Sequence, residues 1–271
     1  YDVISLYEIL QKIIEISGLK VDEFVKKVST ASLSRHIFKN GFKDLLFKNP
    51  LNSTTDYEIL TQYNWINDLD LEGFIRQSYC GGRTEVFKPF LDHQGYHYDI
   101  NSMYPYVMML EFPVGKPEYY NTPFIASEMY ESWLINHNGL GFVHAEVVIP
   151  DQHIPPLPVK MGKLVFPCGH VYGVWTYNEL EYAIKYCGVE VVEIFAVCHF
   201  SNTYKVFTNF ITEFYKMKED ATINYNESLR SFAKLVMNVG YGYTGMSRDD
   251  KAQLDDIANL HKYDEDQVKY I

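Results

Sequence analysis

Two stretches in the middle of the chain leave it little choice of architecture. Residues 140–150 (LGFVHAEVVIP) alternate in character, and residues 189–200 (VEVVEIFAVCHF) form a long apolar-rich run. A period of two sends successive side chains to opposite faces, so each run reads as a strand with a face to bury. Between them, 157–167 (LPVKMGKLVFP) reads as a hairpin, and NELEYAIKYC as a helix with its cap expected at Asn178 and its stop at Gly188. The flanks are helical. Residues 2–18 place Val3, Leu6, Leu10, Ile13 and Ile14 at helical spacing, closed by Gly18. Two short helices are expected over 21–48, a loop at 50–55 (PLNSTT), and a mixed pattern over 57–76. A Gly-Gly turn followed by a strand is expected at 79–87 (YCGGRTEVF), and a loop over the Pro-rich 113–123. Two helices are read at about 205–219 and 225–239, and from Met246 onward the chain turns polar and acidic. The order is that of an α+β chain, with helices leading, a sheet core in the middle and a helical pair behind.

At 271 residues the chain is long enough for one large domain or two modest ones. With 47% hydrophobic and 22% charged residues it has the composition of a globular chain rather than a disordered one. Its net charge of −11 counts against a surface that wraps nucleic acid throughout, and leaves room for a local basic groove. The 23 tyrosines and 17 phenylalanines serve either large cores or platforms for stacking bases. Cys80, Cys168, Cys187 and Cys198 form no CxxC pair. Cys168-Gly169-His170 with Cys198-His199 matches no common zinc spacing, so ordinary thiols in a reducing compartment are expected. No run approaches the length of a membrane span. The first residue is Tyr rather than Met, so a targeting peptide cannot be read from this sequence.

Chemistry concentrates in two places. In YDINSMYPYVMM (98–109), Asp99 stands where the alternating Gly95-Tyr96-His97-Tyr98 gives way to a turn and a short helix with Pro105 in its first turn. A carboxylate at a strand end beside Ser102 and unpaired N–H groups can hold a cation and a phosphate together. An Asp there is equally the ordinary residue of an Asx-turn, and the stretch alone leaves both open. The second place is the helix at 225–239. Leu229, Phe232, Ala233 and Val236 share one face, which should meet the core. Arg230, Lys234, Asn238 and Tyr241 follow on another face. A guanidinium, an ammonium, an amide and a phenol in one stripe suit a polyanion with a flat aromatic part, such as a nucleoside triphosphate. The same stripe also describes a solvated helix face. Gly240 and Gly242 bracket Tyr241, and glycine there lets another backbone approach.

Together these stretches resemble the family B DNA polymerases. DINSMYP (99–105) resembles their motif A, and KLVMNVGYG (234–242) their motif B. Tyr79-Cys80-Gly81-Gly82 resembles the YxGG element that precedes motif A in the protein-primed branch. DVISLYEIL resembles the segment that begins at the last carboxylate of the proofreading exonuclease, here Asp2. STASLSRHIFKNGF, YCGGRTEVFKP and the 157–167 hairpin are similar to the polymerases of mitochondrial linear plasmids, and the likeness covers nearly the whole chain.

The resemblance implies a palm built on an antiparallel sheet, with a helical fingers pair, preceded by the helical end of an exonuclease domain. Residues 1–78 would be that end and a connector, 79–204 the palm with motif A and an inserted hairpin region, 205–245 the fingers with motif B, and 246–271 an acidic tail. It implies Mg²⁺ held by Asp99 and the Ile100 carbonyl, with Asp2 a ligand in the exonuclease. Ser102 and the neighbouring Met103 N–H would hold the triphosphate, and Tyr104 would lie under the sugar and exclude a 2′-hydroxyl. Lys234 would neutralise phosphate charge in the transition state, with Lys218 as a second cation. Asn238 and Tyr241 would meet the nucleotide, while Tyr79, Gly81, Gly82 and Gly242 would follow DNA. Implied partners are template-primer DNA, deoxynucleoside triphosphate and a terminal protein primer, and the implied location is mitochondrial.

The chain also departs from the family. Val239 stands where motif B has Ser, Gly240 where a larger apolar residue is usual, and Tyr243 where a basic one is common. Motif C, a Tyr-x-Asp-Thr-Asp hairpin, has no counterpart after motif B. Tyr263-Asp264-Glu265-Asp266 comes too early and lacks flanking apolar strands, and Asp249-Asp250 and Asp255-Asp256 read as solvated turns. Asp99 is thus left as the lone carboxylate of a two-metal site, so this chain by itself is expected to bind Mg²⁺ weakly and not to polymerise DNA. The alternative expectation is an inactive polymerase relic, a structural or RNA-contacting subunit with RNA or protein partners in a larger mitochondrial assembly.

Overall fold

The computed structural model describes residues 69–245, together with residues 7, 10, 11, 14, 15, 20, 33, 34 and 37. In chain order its elements over 69–245 are α1 (Leu69–Ser78), α2 (Met103–Met108), β1 (Phe112–Val114), β2 (Glu118–Tyr120), α3 (Pro123–Asn136), β3 (Leu140–Ile149) and β4 (Val159–Met161). There follow β5 (Lys163–Val165), β6 (Gly169–Thr176), α4 (Tyr177–Cys187), β7 (Glu190–Phe200), β8 (Asn202–Tyr204), α5 (Thr208–Ile223) and α6 (Glu227–Thr244). They fall into two compact units. A sheet unit is drawn from 51–99 and 111–204, and a helical unit from 1–50, 100–110 and 205–271.

The sheet unit is built on four antiparallel strands in the order β2-β7-β3-β6. The alternation that defined β3 is its burial pattern: Val143, Ala145, Val147 and Ile149 point into the core. Against that face lie Ala126, Tyr130 and Trp133 of α3 and Tyr177, Leu180 and Ala183 of α4. Each such large apolar side chain contributes about 1.5–3 kcal/mol by leaving water. Leu71 and Phe74 of α1 cluster on the other face with Val174, Ala196, Cys198 and Phe200. Gly141 makes close packing possible on β3, since a Cβ there would collide with the Tyr177 ring and lie 2.7 Å from the Cys198 carbonyl oxygen. The expected hairpin is present as β4–β5, pairing Val159 with Val165 around Gly162 at φ +73.

Several local expectations give way. The cap of α4 is Thr176, not Asn178. Its hydroxyl accepts from the Glu179 N–H at 3.2 Å, and the Glu179 carboxylate accepts from the Thr176 N–H at 2.9 Å, a reciprocal pair that outcompetes a lone Asn two residues later. Gly188 does close that helix, at φ 67. The Pro-rich 113–123 is not simply loop. Pro113 sits in β1, and Pro123 opens α3, where a missing N–H is harmless. The strand expected before Asp99 and the turn and strand expected over 79–87 are absent, because residues 79–102 carry no helix or strand. Alternation makes a strand only where a neighbour completes the ladder, and residues 94–101 are all exposed. Neither Gly81 nor Gly82 has a positive φ.

In the helical unit α5 and α6 pack along one another, joined by a short turn at 224–226 in which Tyr225 has φ 53. Both start and end later than the pattern indicated. Thr222 donates to the Lys218 carbonyl within the last turn of α5, and the Asn226 side chain caps α6 by accepting from the Leu229 N–H at 3.0 Å. The core joins Phe210, Ile211 and Phe214 to Ala233, Val236 and Met237, with Leu33, Ile37 and Met108. Of the helix expected at 2–18, residues 7, 10, 11, 14 and 15 are described, and all are helical. Its Gly18 stop, the 50–55 loop, Asp2 and the tail from 246 lie outside the described residues, as does most of 21–48.

Candidate functional site

The helical unit gathers most of the residues singled out by sequence. Ser102 precedes α2 with left-handed backbone (φ 53, ψ 39), and its side chain makes no cap bond to the helix. Its hydroxyl instead accepts from Lys218 Nζ of α5 at 2.9 Å, across 116 positions of sequence. The same ammonium lies 5.0 Å from the centre of the Tyr215 ring one turn earlier. Tyr215 was not among the expected residues, although an aromatic three positions before a lysine on a helix is the available signal. Lys218 has three N–H donors, and Ser102 uses one.

Beside this pair, Tyr104 and Tyr241 stack with ring centres 4.9 Å apart and planes at 24°. Both rings are partly open to solvent, at 47% and 36%. The burial of α6 follows the expected division: Ala233 and Val236 are buried, whereas Lys234, Asn238 and Tyr241 are exposed. Arg230, at the far end of the stripe, is taken up by Glu227 at 2.6 Å. Met103, the first residue of α2, is exposed, and its N–H has no partner within the helix. The two glycines around Tyr241 differ. A Cβ on Gly240 would sit 2.9 Å from Ser34 Oγ and 3.4 Å from the Phe210 ring, so its smallness serves packing against side chains. A Cβ on Gly242 would meet nothing within 4 Å.

The remaining expected residues belong to the sheet unit or its border. Asp99 lies within the irregular 79–102 segment and is exposed, as is Ile100, at 69%. Among the described residues no group of three His, Cys, Asp or Glu side chains could hold a metal ion. Tyr79 is half exposed and follows α1 directly, and Gly81 and Gly82 stand in open space. Cys80 is half buried, and burial pushes its thiol up, opposed by the nearby Lys160 ammonium.

Residues 1–268 match the model of the family described as DNA polymerase type B, organellar and viral. The chain belongs to this family. Probable DNA polymerases of two fungi resemble it at 28% identity. That of Ascobolus immersus does so over 254 residues, 90% of this chain and 19% of that protein, and that of Podospora anserina over 176 residues, 64% and 13%. The matches thus span less than a quarter of these relatives' length. Among solved structures, Phi29 DNA polymerase complexed with primer-template DNA aligns with a TM-score of 0.60 at 20% identity, over 88% of this chain and 38% of that one. Its ternary complex with DNA and incoming nucleotide substrates aligns at 0.58 and 22% identity, over 82% and 37%. The mixed helix and antiparallel sheet architecture of this type B chain is therefore that of a polymerase fold, as its motifs implied.

Proposed function

We propose that the chain is the palm-and-fingers part of a DNA-directed DNA polymerase, and that its helical unit holds the incoming deoxynucleoside triphosphate. The observation that carries this reading is the meeting of motif A with both fingers helices: Ser102 bonded to Lys218 of α5, and Tyr104 stacked on Tyr241 of motif B. Lys218 keeps two donors for phosphate oxygens, and the exposed Lys234 adds a second cation on α6. The paired tyrosines give the sugar and base an aromatic surface, with Tyr104 on the sugar and Tyr241 and Asn238 toward the base. Phosphoryl transfer asks a protein mainly for position and charge, and these residues supply both. Tyr79, Gly81, Gly82 and Gly242 would meet DNA, because each glycine leaves open space that its own fold does not require. Mg²⁺ would be a cofactor of the complete polymerase, with Asp99 among its ligands. The likeness of the Tyr79–Gly82 element to the protein-primed branch supports a terminal protein as primer, and the family's organellar members support a mitochondrial setting.

The test is equilibrium binding of dGTP, deoxyguanosine and primed template to the chain. Lys218→Ala should weaken dGTP binding by about ten-fold, as expected for losing a charge-assisted contact, and leave the nucleoside unaffected. Tyr241→Ala should weaken both. A wild-type chain that binds neither triphosphate nor primed template would defeat the polymerase reading and leave a scaffold for RNA or protein.

A further inference from the structure

The Tyr79–Gly82 element has little of its own to hold it. It lies in no helix or strand, Tyr79 is half exposed, and nothing comes within 4 Å of a Cβ at Gly81 or Gly82. Yet both of its ends are fastened, and to one place. At the first end, the Arg76 carbonyl of α1 accepts from the Tyr79 N–H at 3.3 Å and from Lys160 Nζ of β4 at 2.9 Å. At the second end, Arg83 donates from its terminal nitrogen to the Pro155 carbonyl at 2.8 Å and lies 4.2 Å from the centre of the Phe166 ring. Pro155, Lys160 and Phe166 all belong to the 155–166 segment that contains the β4–β5 hairpin.

Arg83 has little left for a phosphate. Its Nε and other terminal nitrogen donate to Glu85 at 2.7 and 2.6 Å, which offsets its charge, and Phe87 lies 5.1 Å from its guanidinium. A planar fork that bonds a carboxylate and a carbonyl while stacking on a ring is a role lysine cannot fill.

We propose that the 155–166 hairpin clamps the Tyr79–Gly82 element in its DNA-binding conformation, with Arg83 and Lys160 as positioning residues rather than DNA contacts. This rests on the reading of Tyr79, Gly81 and Gly82 as a DNA site. The glycines leave room for a strand to approach, and the clamp removes the freedom that such a bare segment would otherwise lose on binding.

The experiment measures primed-template affinity across a salt series for wild type, Arg83→Ala, Arg83→Lys, Lys160→Met, Tyr79→Ala and the Tyr79→Ala/Arg83→Ala pair, each with a melting curve. Arg83→Ala and Arg83→Lys should both weaken binding by about ten-fold, the scale of a coupled contact. The salt slope should stay at the wild-type value because no phosphate contact is lost. Lys160→Met should act in the same direction, and Tyr79→Ala should cost less once Arg83 is gone. A slope reduced by about one, with affinity restored in Arg83→Lys, would make Arg83 a phosphate ligand and overturn the clamp. Should Arg83→Ala fail to fold, Lys160→Met decides, since its exposed side chain can be replaced without opening a core: wild-type affinity in that variant overturns the clamp. A wild-type chain that binds no DNA overturns the DNA-site reading together with the clamp. Wild-type binding matched by every Arg83 and Lys160 variant overturns the clamp alone.

Discussion

Replacing Gly240 and Gly242 by alanine, one at a time, should move stability in opposite directions. Both lie in α6, where alanine is favoured over glycine by about 1 kcal/mol because the unfolded chain loses less freedom. At Gly242 the added methyl meets nothing within 4 Å, so most of that gain should appear, trimmed by the nearness of the helix end. At Gly240 the methyl would sit 2.9 Å from Ser34 Oγ and 3.4 Å from the Phe210 ring. Ser34 is fully buried and donates to the Val236 carbonyl at 3.0 Å, so its hydroxyl cannot turn away without losing that bond. Overpacking of this kind costs roughly 1–3 kcal/mol, which exceeds the propensity gain. The two variants should therefore differ by about 2 kcal/mol, or roughly 4–8 °C in melting temperature for a chain of this size. Circular-dichroism melts read the difference directly, and Ser34→Ala combined with Gly240→Ala should recover part of the loss. A Gly240→Ala chain that melts at or above Gly242→Ala would refute the packing argument. The stabilised Gly242→Ala chain should nonetheless bind primed template less tightly, since the open space beside Tyr241 is then filled.

Acid should weaken the sheet unit in a defined window. His199 is buried against Tyr177 with no partner for its Nδ1, and burial pulls its pKa below the ordinary 6.5 despite the opposing Glu118; burial lowers that of His144 too. The unfolded chain then takes up protons that the folded chain resists, so stability is full above about pH 6.5 and falls as pH drops below it. Urea midpoints should decline from about pH 7.5 to 5.5, and His199→Phe should flatten the decline; an equal slope in both chains would refute the assignment. Tyr104→Val should raise the ratio of ribonucleotide to deoxynucleotide binding, while stability falls by only about 1 kcal/mol, the scale of a half-exposed aromatic stack. A large drop in melting temperature with no change in sugar preference would make Tyr104 a packing residue. Calorimetry with Mg²⁺ should give weak heats, equal in wild type and Asp99→Asn, and tight binding abolished by Asp99→Asn would point to further carboxylates completing the site.

What could be read from the residues was whatever depends on a single element. The alternation of 140–150, the apolar run of 189–200, the Gly188 stop and the apolar face of α6 each express a period or a cap, and all are present. What could not be read depends on a second partner. The run into Asp99 alternates like a strand but has no ladder neighbour among the described residues. The Thr176-x-x-Glu179 spacing, by contrast, is a legible capping box, and it overrides the Asn178 expectation. Helix α3 follows a proline-rich approach and was not expected, although Pro123 is a legible helix start and Ala126, Tyr130 and Trp133 keep helical spacing. For the site, sequence nominated Ser102, Tyr104, Lys218 and Tyr241 separately, and only the fold brings them into pairs. Arg83 carries no motif of its own. Its role appears once Pro155, Phe166 and Glu85 surround it.

The two units are interleaved along the chain, and this has a bearing on synthesis. The sheet unit is finished once residue 204 has been made, whereas α2 of the helical unit must wait for α5 and α6. Six residues are too few to hold a helix alone, and Met108 finds its buried neighbours Phe210 and Phe214 roughly a hundred residues later. At a translation rate of about 5–20 residues per second, that is about 5–20 s during which the motif A helix emerges without its core. The sheet unit is complete when residue 204 has been made, 40 residues before α6 ends at Thr244, which leaves it about 2–8 s to fold ahead of the helical pair. Arrival of α5 and α6 then gives Met108 its buried neighbours, so motif A and motif B come together last.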